Sequence, residues 1–355
     1  MEKEKKSKIK KILVNLTIFI LLIILTFSLV LKDQDVSQIF SVAAKVKKQY
    51  ILFAVLAMSI YILGEAVNIT RILKELGEKS KFISNIRYTL IGFFFSAITP
   101  AASGGQPMEI YYMHKDDISV ANSTLALLMQ LCSLQIVTIT VGIISAVIHF
   151  DVLKSGLIYL LIIGIILNSS ALMLLIIAIF SKRLSEGLIK FVVKLLKFFR
   201  IHNVEKKQEK LEKELESYQT SAKYIKEHKI LMLKTVITLV QMIAYYSVPY
   251  WIYLAFGLKE YNIFEIATLQ AVLYATVSGI PSPGSVGVSE GGFLGIFRNV
   301  FPETIISSAM LLTRGANFYL FIIISAIIVM ISTFRDRREE KKQKSQNEEI
   351  IEKAE

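Results

Sequence analysis

The sequence predicts an all-α integral membrane protein, with about six full transmembrane helices and two re-entrant helical segments in a degenerate inverted repeat. Three observations predict it. Apolar runs such as Ile12 to Leu31, Leu157 to Phe180, Leu231 to Phe256 and Ile305 to Thr333 are long enough to cross a hydrocarbon core of about 30 Å as helix. Charged residues collect between and after those runs, and two stretches rich in Pro, Gly and Ser break apolar surroundings at corresponding places in the two halves. The composition agrees: 54% of the 355 residues are hydrophobic, with a mean hydropathy of +0.54, where a soluble domain has roughly half even with glycine counted.

The first run, Ile12 to Leu31, follows a basic start. It exceeds the signal-peptide core of about 7 to 15 residues, and Lys32, Asp33 and Gln34 follow it where a cleavage site would need small residues, so it is expected to be a retained helix. A second span from about Ile51 to Ile69 closes on Arg71, Lys74, Lys79 and Lys81. The next apolar piece, Phe82 to Thr99, runs into Pro100, Ser103, Gly104, Gly105, Gln106 and Pro107, where a helix must break. Ser119 to Phe150 and Leu157 to Phe180 form a helical hairpin around a short turn.

From Ser181 to Lys229 the pattern changes. Lys182, Arg183, Lys190, Lys194, Lys197 and Arg200 alternate with Leu188, Phe191, Val192, Leu195 and Phe198, an amphipathic basic helix suited to an anionic membrane surface. The second half then repeats the plan with Leu231 to Phe256, a shorter piece Ile263 to Ile280, a break from Pro281 to Gly292, and a last span. The expected organisation is a membrane domain over 1–334, with halves at about 50–180 and 231–333 and the basic cytoplasmic segment 181–229 between them, and a charged cytoplasmic tail at 335–355.

Aligning Pro100 with Pro281 places Glu109 on Glu290, with small residues filling the interval in each. If both short apolar pieces dip into the membrane and return, Arg71 to Lys81, Lys182 to Lys229 and the tail all fall inside, as the positive-inside rule requires. If both crossed, the basic segment would lie outside. The first broken loop then enters from the cytoplasm and the second from outside, an arrangement common in transporters. A cell-membrane protein with both termini cytoplasmic follows.

Other classes are excluded or unsupported. The net charge of +12, from 41 basic and 29 acidic residues, is explained by topology, and no basic-aromatic module or finger spacing suggests nucleic acid. The single cysteine, Cys132, lies in an apolar span, and the four histidines show no ligand spacing, so neither metal nor cofactor is expected. No Gly-Lys-Ser or Gly-Lys-Thr phosphate loop is present for ATP hydrolysis, which leaves an ion gradient or downhill movement.

Non-helical backbone persists at membrane depth only when it is buried in protein or lines a wet cavity. The two broken loops therefore imply a polar cavity, where unpaired N–H groups at helix starts suit a phosphate and Ser103, Gln106, Ser282 and Ser285 add hydrogen bonds. Charged residues within apolar runs each cost about 2.5 to 3.5 kcal/mol at the membrane centre, which singles out Glu65, Arg87 and Arg314; Asn68 and Asn317 share helix faces with Glu65 and Arg314. Arg87 lies near a basic end and suits snorkelling equally well. Glu109 and Glu290 are site candidates that would also serve as carboxylates stabilising their own helix starts. Gly104, Gly105 and Gly284 allow turns and close contact whether or not they touch a ligand. The tyrosines at 111, 112, 245, 246, 250 and 253 read as interface belt or packing.

The motifs Thr99-Pro-Ala-Ala-Ser-Gly-Gly-Gln-Pro-Met-Glu109 and Ser278-Gly-Ile-Pro-Ser-Pro-Gly-Ser-Val-Gly-Val-Ser-Glu-Gly-Gly292 resemble those of the lysylphosphatidylglycerol synthase transmembrane family, also called flippase-like. The resemblance runs from about Ile12 to Thr333, and it is to the membrane part of the multiple peptide resistance factors without their soluble synthase domain. It implies movement of phosphatidylglycerol, its aminoacylated derivative or a related anionic lipid between leaflets, with a role in cell-envelope charge and cationic peptide (antibiotic) resistance. The alternatives it leaves are a phosphatidylglycerol lysyltransferase or other lipid-modifying transferase, and a scaffold for a separately encoded lipid synthase.

Overall fold

The computed structural model describes residues 17, 41–99, 102–150, 157–181, 187, 204–227, 230–280 and 282–335. Apart from Thr17 and Gly187, the expected first span at Ile12 to Leu31 and the basic stretch 182–203 lie outside the described residues, as do Pro100, Pro281 and the tail beyond 335. Those described form helices α1 Lys48–Glu75, α2 Phe82–Ile98, α3 Gly105–Lys115, α4 Val120–Ile148, α5 Leu157–Phe180, α6 Val204–Glu227, α7 Ile230–Tyr246, α8 Val248–Ala255, α9 Ile263–Val277, α10 Val288–Ile296 and α11 Ile306–Arg314. No strand occurs among them.

Four helices are long and apolar enough to cross a membrane: Lys48–Glu75, Val120–Ile148, Ile158–Phe180 and Ile306–Arg335. Their outward faces are apolar. On α1, Leu52, Phe53, Leu56, Ile60 and Leu63 are exposed, while Ala54, Ala57, Met58, Ile62 and Ala66 are buried against neighbours. Lipid tails are as apolar as leucine, so burial gives little drive between such helices; close van der Waals contact and interhelical hydrogen bonds hold them instead. Gly64 lets α7 approach until an added Cβ would sit 2.9 Å from Gln241 Cβ. Asn68 Nδ2 donates to Thr238 Oγ1 at 2.9 Å, a bond worth about 0.6 kcal/mol in a typical membrane bundle.

Two of the expected spans are subdivided. The piece expected at Leu231 to Phe256 is broken at Ser247, ahead of Pro249, into α7 and α8; proline near a helix start removes no intrahelical bond. The last span passes through a π-helical turn at Gly315–Tyr319 before continuing to Arg335. Such turns favour functional positions.

The two short apolar helices each belong to a helical hairpin. At the mouth of the first, Arg87 and Tyr88 near the start of α2 both bond Asp116, which ends α3. At the mouth of the second, Tyr261 just before α9 donates to the Asn299 carbonyl just after α10, at 3.2 Å. The mouths face opposite ends of the bundle. The first follows directly on the end of α1, beside Glu78, which accepts from Asn122 on α4. The second follows α8, whose Ala255 carbonyl accepts the Lys47 N–H at the start of α1.

One end of the bundle therefore holds Arg71, Lys74, Lys79, Lys81, Lys115 and Arg335, with α6 packed there through Tyr218, whose hydroxyl donates to the Ala178 carbonyl, and through buried Ala222 and Ile225. The other end holds the close of α4, where His149 Nε2 lies 2.7 Å from Thr268 Oγ1 on α9.

Candidate functional site

The tips of the hairpins meet inside the bundle. Buried Val286 of the second tip joins the apolar cluster that holds Phe94, Phe95 and Ile98 at the end of α2, and Phe93 of α2 packs on Phe318 of the last span, with ring centroids 6.0 Å apart. Both tips hold a non-glycine residue in left-handed backbone, Ala102 at φ 53° and Ser285 at φ 54°. Such strain costs on the order of 1 to 3 kcal/mol and is retained where surroundings over-determine it.

In the second tip Glu290, the third residue of α10, is fully buried. Its Oε2 accepts the Gly287 N–H at 2.7 Å, and Oε1 accepts from Arg314 Nε at 2.8 Å and from the Tyr319 hydroxyl at 3.2 Å. Arg314 also donates to the Gly284 carbonyl at 3.1 Å and stacks over the Phe318 ring at 4.1 Å. Gly284 has φ 58°, and a Cβ there would lie 2.2 Å from Phe318, so both its backbone angle and its contact demand glycine. Glu290 thus does cap its own helix start, and it neutralises Arg314 as well.

The first tip is built differently. Glu109 is 2% exposed, and its Oε2 has no hydrogen-bond partner. It lies one helical turn into α3 and caps nothing; it is pressed against Gly92, where a Cβ would come within 2.0 Å of Oε1. Glu65 faces the same space from α1. Among the described residues neither carboxylate pairs with a cation, so the aligned glutamates have opposite electrostatic settings.

Two adjoining cavities follow from this. One of about 470 Å³ is lined by Ser282, Gly284, Ser285, Arg314 and Asn317. The other, of about 650 Å³, is lined by Glu65, Ser103, Gln106 and Glu109. Tyr61, Phe93, Ser96, Gln135, Asn168 and Tyr274 line both, so the chambers share a wall. Ser282 Oγ and Asn317 Oδ1 are buried without partners.

Three candidates lie elsewhere. Arg87 sits at the hairpin mouth, where Asp116 bonds it and also accepts from Arg335 at 3.1 Å. Gly104 and Gly105 close the first tip: Gly104 N–H donates to Thr99 Oγ1 at 2.9 Å, and Gly105 lies against Ser96. Conversely, Gln135 and Asn168 line the site but were not singled out by motif or charge. Asn168 donates to the carbonyls of Gly164 and Ala275, at 2.7 and 3.2 Å, and bonds Ser278 Oγ. The signal for both was an amide inside an apolar run. Tyr245 lines the first chamber, and its ring lies 5.2 Å from Tyr61 and 5.4 Å from Tyr274, a cavity wall where the sequence suggested belt or packing.

Long apolar helices around a buried polar site between opposed hairpins define a multi-pass membrane protein with a polar interior. The chain belongs to the family described as the lysylphosphatidylglycerol synthase TM region, whose model matches residues 12–325. It is also similar to a UPF0104 membrane protein of Archaeoglobus fulgidus, 24% identical over 274 residues that cover 74% of this chain and 80% of that relative.

Proposed function

We propose that the protein translocates phosphatidylglycerol-derived or related anionic phospholipids, aminoacylated ones among them, between the leaflets of the cell membrane. In this proposal six complete spans and two re-entrant hairpins form the membrane domain, both termini are cytoplasmic, and the chain carries a charged tail after residue 334. The observation that carries it is the meeting of two opposed hairpin tips at a polar site divided by charge, with Arg314 on one side and Glu65 and Glu109 on the other. An aminoacyl phospholipid has the same division: an anionic phosphate and, across an ester-linked glycerol, an ammonium group.

In the proposed pose the phosphate meets the Arg314 chamber. There Asn317, Ser282 and Ser285 offer hydrogen bonds, and the Arg314 charge is already balanced, which favours a phosphate bound and released over one held fast. The ammonium meets Glu65 and Glu109, beside Ser103 and Gln106. Glu290 positions Arg314 and does not bind the headgroup. Acyl chains stay in the bilayer.

The test is reconstitution in vesicles with a labelled aminoacyl phosphatidylglycerol. Faster leaflet exchange than in empty vesicles is expected, reduced by Glu109→Gln and Arg314→Ala. Exchange equal to empty vesicles, or unchanged in both variants, counts against translocation. Because the family's description carries the word synthase, a transferase role is checked separately: lipid extracts of cells with and without the gene would differ in lipid species, where translocation alone changes only their distribution.

A further inference from the structure

We propose that Glu65 and Glu109 form a monovalent-cation site in its own right, occupied by a sodium ion or a proton whenever no cationic headgroup fills it. The exchange of headgroup for cation rests on the translocation reading; the site itself does not.

The argument starts from charge. Glu65 on α1 and Glu109 on α3 line one chamber whose lining contains no Lys, Arg or His. Burying one unpaired carboxylate is expensive, and two facing one space cannot both stay ionised without a counter-charge. Glu290 has Arg314 for this purpose; Glu109 has nothing equivalent among the described residues.

A second observation points to the same place. Thr89 on α2 lines this chamber, is 1% exposed, and its Oγ1 has no partner. A helical threonine ordinarily satisfies itself on the carbonyl four residues back, as Thr70, Thr124 and Thr276 do here. Thr89 does not. Gln135 Oε1, on α4, is likewise buried without a donor at the chamber wall. Unsatisfied buried polar atoms are few in native proteins, and a missing ion is one of their ordinary causes. Carboxylate, hydroxyl and amide oxygens on four helices make an oxygen-only set of the kind hard cations take.

The other ionisable groups near the chamber do not supply the charge. Tyr61 on α1 and Tyr274 on α9 face it, with Tyr245 and Tyr246 of α7 behind them, all phenols that are neutral at ordinary pH. On α2, Arg87 and Tyr88 are engaged by Asp116 at the hairpin mouth. Cys132 is the one thiol of α4, and Arg314 of α11 lines the adjoining chamber, held by Glu290. A retained proton and one cation neutralise the two carboxylates, so entry of an ammonium headgroup expels the resident cation. Lipid and cation would then move in opposite senses, which is how a gradient could drive a transporter without ATP.

Dicyclohexylcarbodiimide, which adds to protonated carboxyl groups in apolar surroundings, tests the site on the full-length protein in detergent without added lipid substrate. In sodium-free buffer at mildly acid pH, peptide mass spectrometry should find an adduct on Glu109 or Glu65 and none on Glu290. A yield that falls several-fold with sodium chloride but not choline chloride identifies a sodium site. A yield that falls only as pH rises identifies a proton site. No adduct on either glutamate, or one indifferent to both sodium and pH, overturns the proposal. Glu109→Gln and Glu65→Gln, checked for folding by thermal unfolding, should each remove sodium protection at the other glutamate or, where pH alone governs the yield, change the pH at which the other loses reactivity; a response unchanged by the substitution also overturns it. Leaflet exchange is measured on the same preparation: protection without exchange keeps the site and rejects translocation, and exchange without protection does the reverse.

Discussion

Arg314 Nε donates to Glu290 Oε1 at 2.8 Å, joining the last long helix to the start of α10 with both side chains inside the bundle. The pair costs desolvation on both sides, and its bond to Gly284 and contact with Tyr319 fix how the second hairpin tip sits on α11.

Breaking one partner should cost more than removing both. Glu290→Gln strands a buried guanidinium, a loss of about 3 to 5 kcal/mol. Arg314→Met strands a buried carboxylate at similar cost. The double variant Glu290→Gln/Arg314→Met is expected to unfold, on heating in detergent, at a higher temperature than either single variant. Additive losses would show that the pair is not the unit.

The opposed hairpin mouths predict opposite labelling. In a Cys132→Ala background, Lys79→Cys and His114→Cys should react with a membrane-impermeant thiol reagent from one face of oriented vesicles, and Lys259→Cys and Arg298→Cys from the other. All four positions are exposed. Reaction of all four from one face would refute the inverted arrangement.

Gly92→Ala should act through Glu109. The added methyl would overlap Oε1, Cδ and Cγ of Glu109, all in one flexible side chain, so the chain should fold while that side chain moves. Leaflet exchange of the labelled lipid is expected to fall about as far as in Glu109→Gln, with a smaller change in unfolding temperature than Glu290→Gln produces.

Asn168→Leu should loosen α5 from α9. It removes the donor to the Ala275 carbonyl and the partner of Ser278 Oγ, leaving buried acceptors unsatisfied at about 1 to 3 kcal/mol. A lower unfolding temperature than Asn168→Ser, which keeps a hydroxyl donor, is the expected outcome.

Much of this was legible before any coordinates. Run length alone marked α1, α4, α5 and the last span, because a bilayer sets a minimum apolar length that a folded interior does not. The paired breaks at Pro100 and Pro281 marked both hairpins, and their matched spacing gave Glu109 and Glu290. Arg87 and Arg314 looked alike on the same criterion, a cation in an apolar run, yet Arg87 pairs with Asp116 at a hairpin mouth and Arg314 enters the centre.

The sequence by itself determined the solvent, the helical class and the places where helices must break, since these depend on composition and local backbone chemistry. Tertiary structure alone decided which charge meets which. Glu290 meets Arg314 while Glu109 meets no cation among the described residues, although their motifs align, because Arg314 comes from the next helix, outside the aligned segment. Pair electrostatics depends on distance and burial, and neither is written in the spacing of one segment.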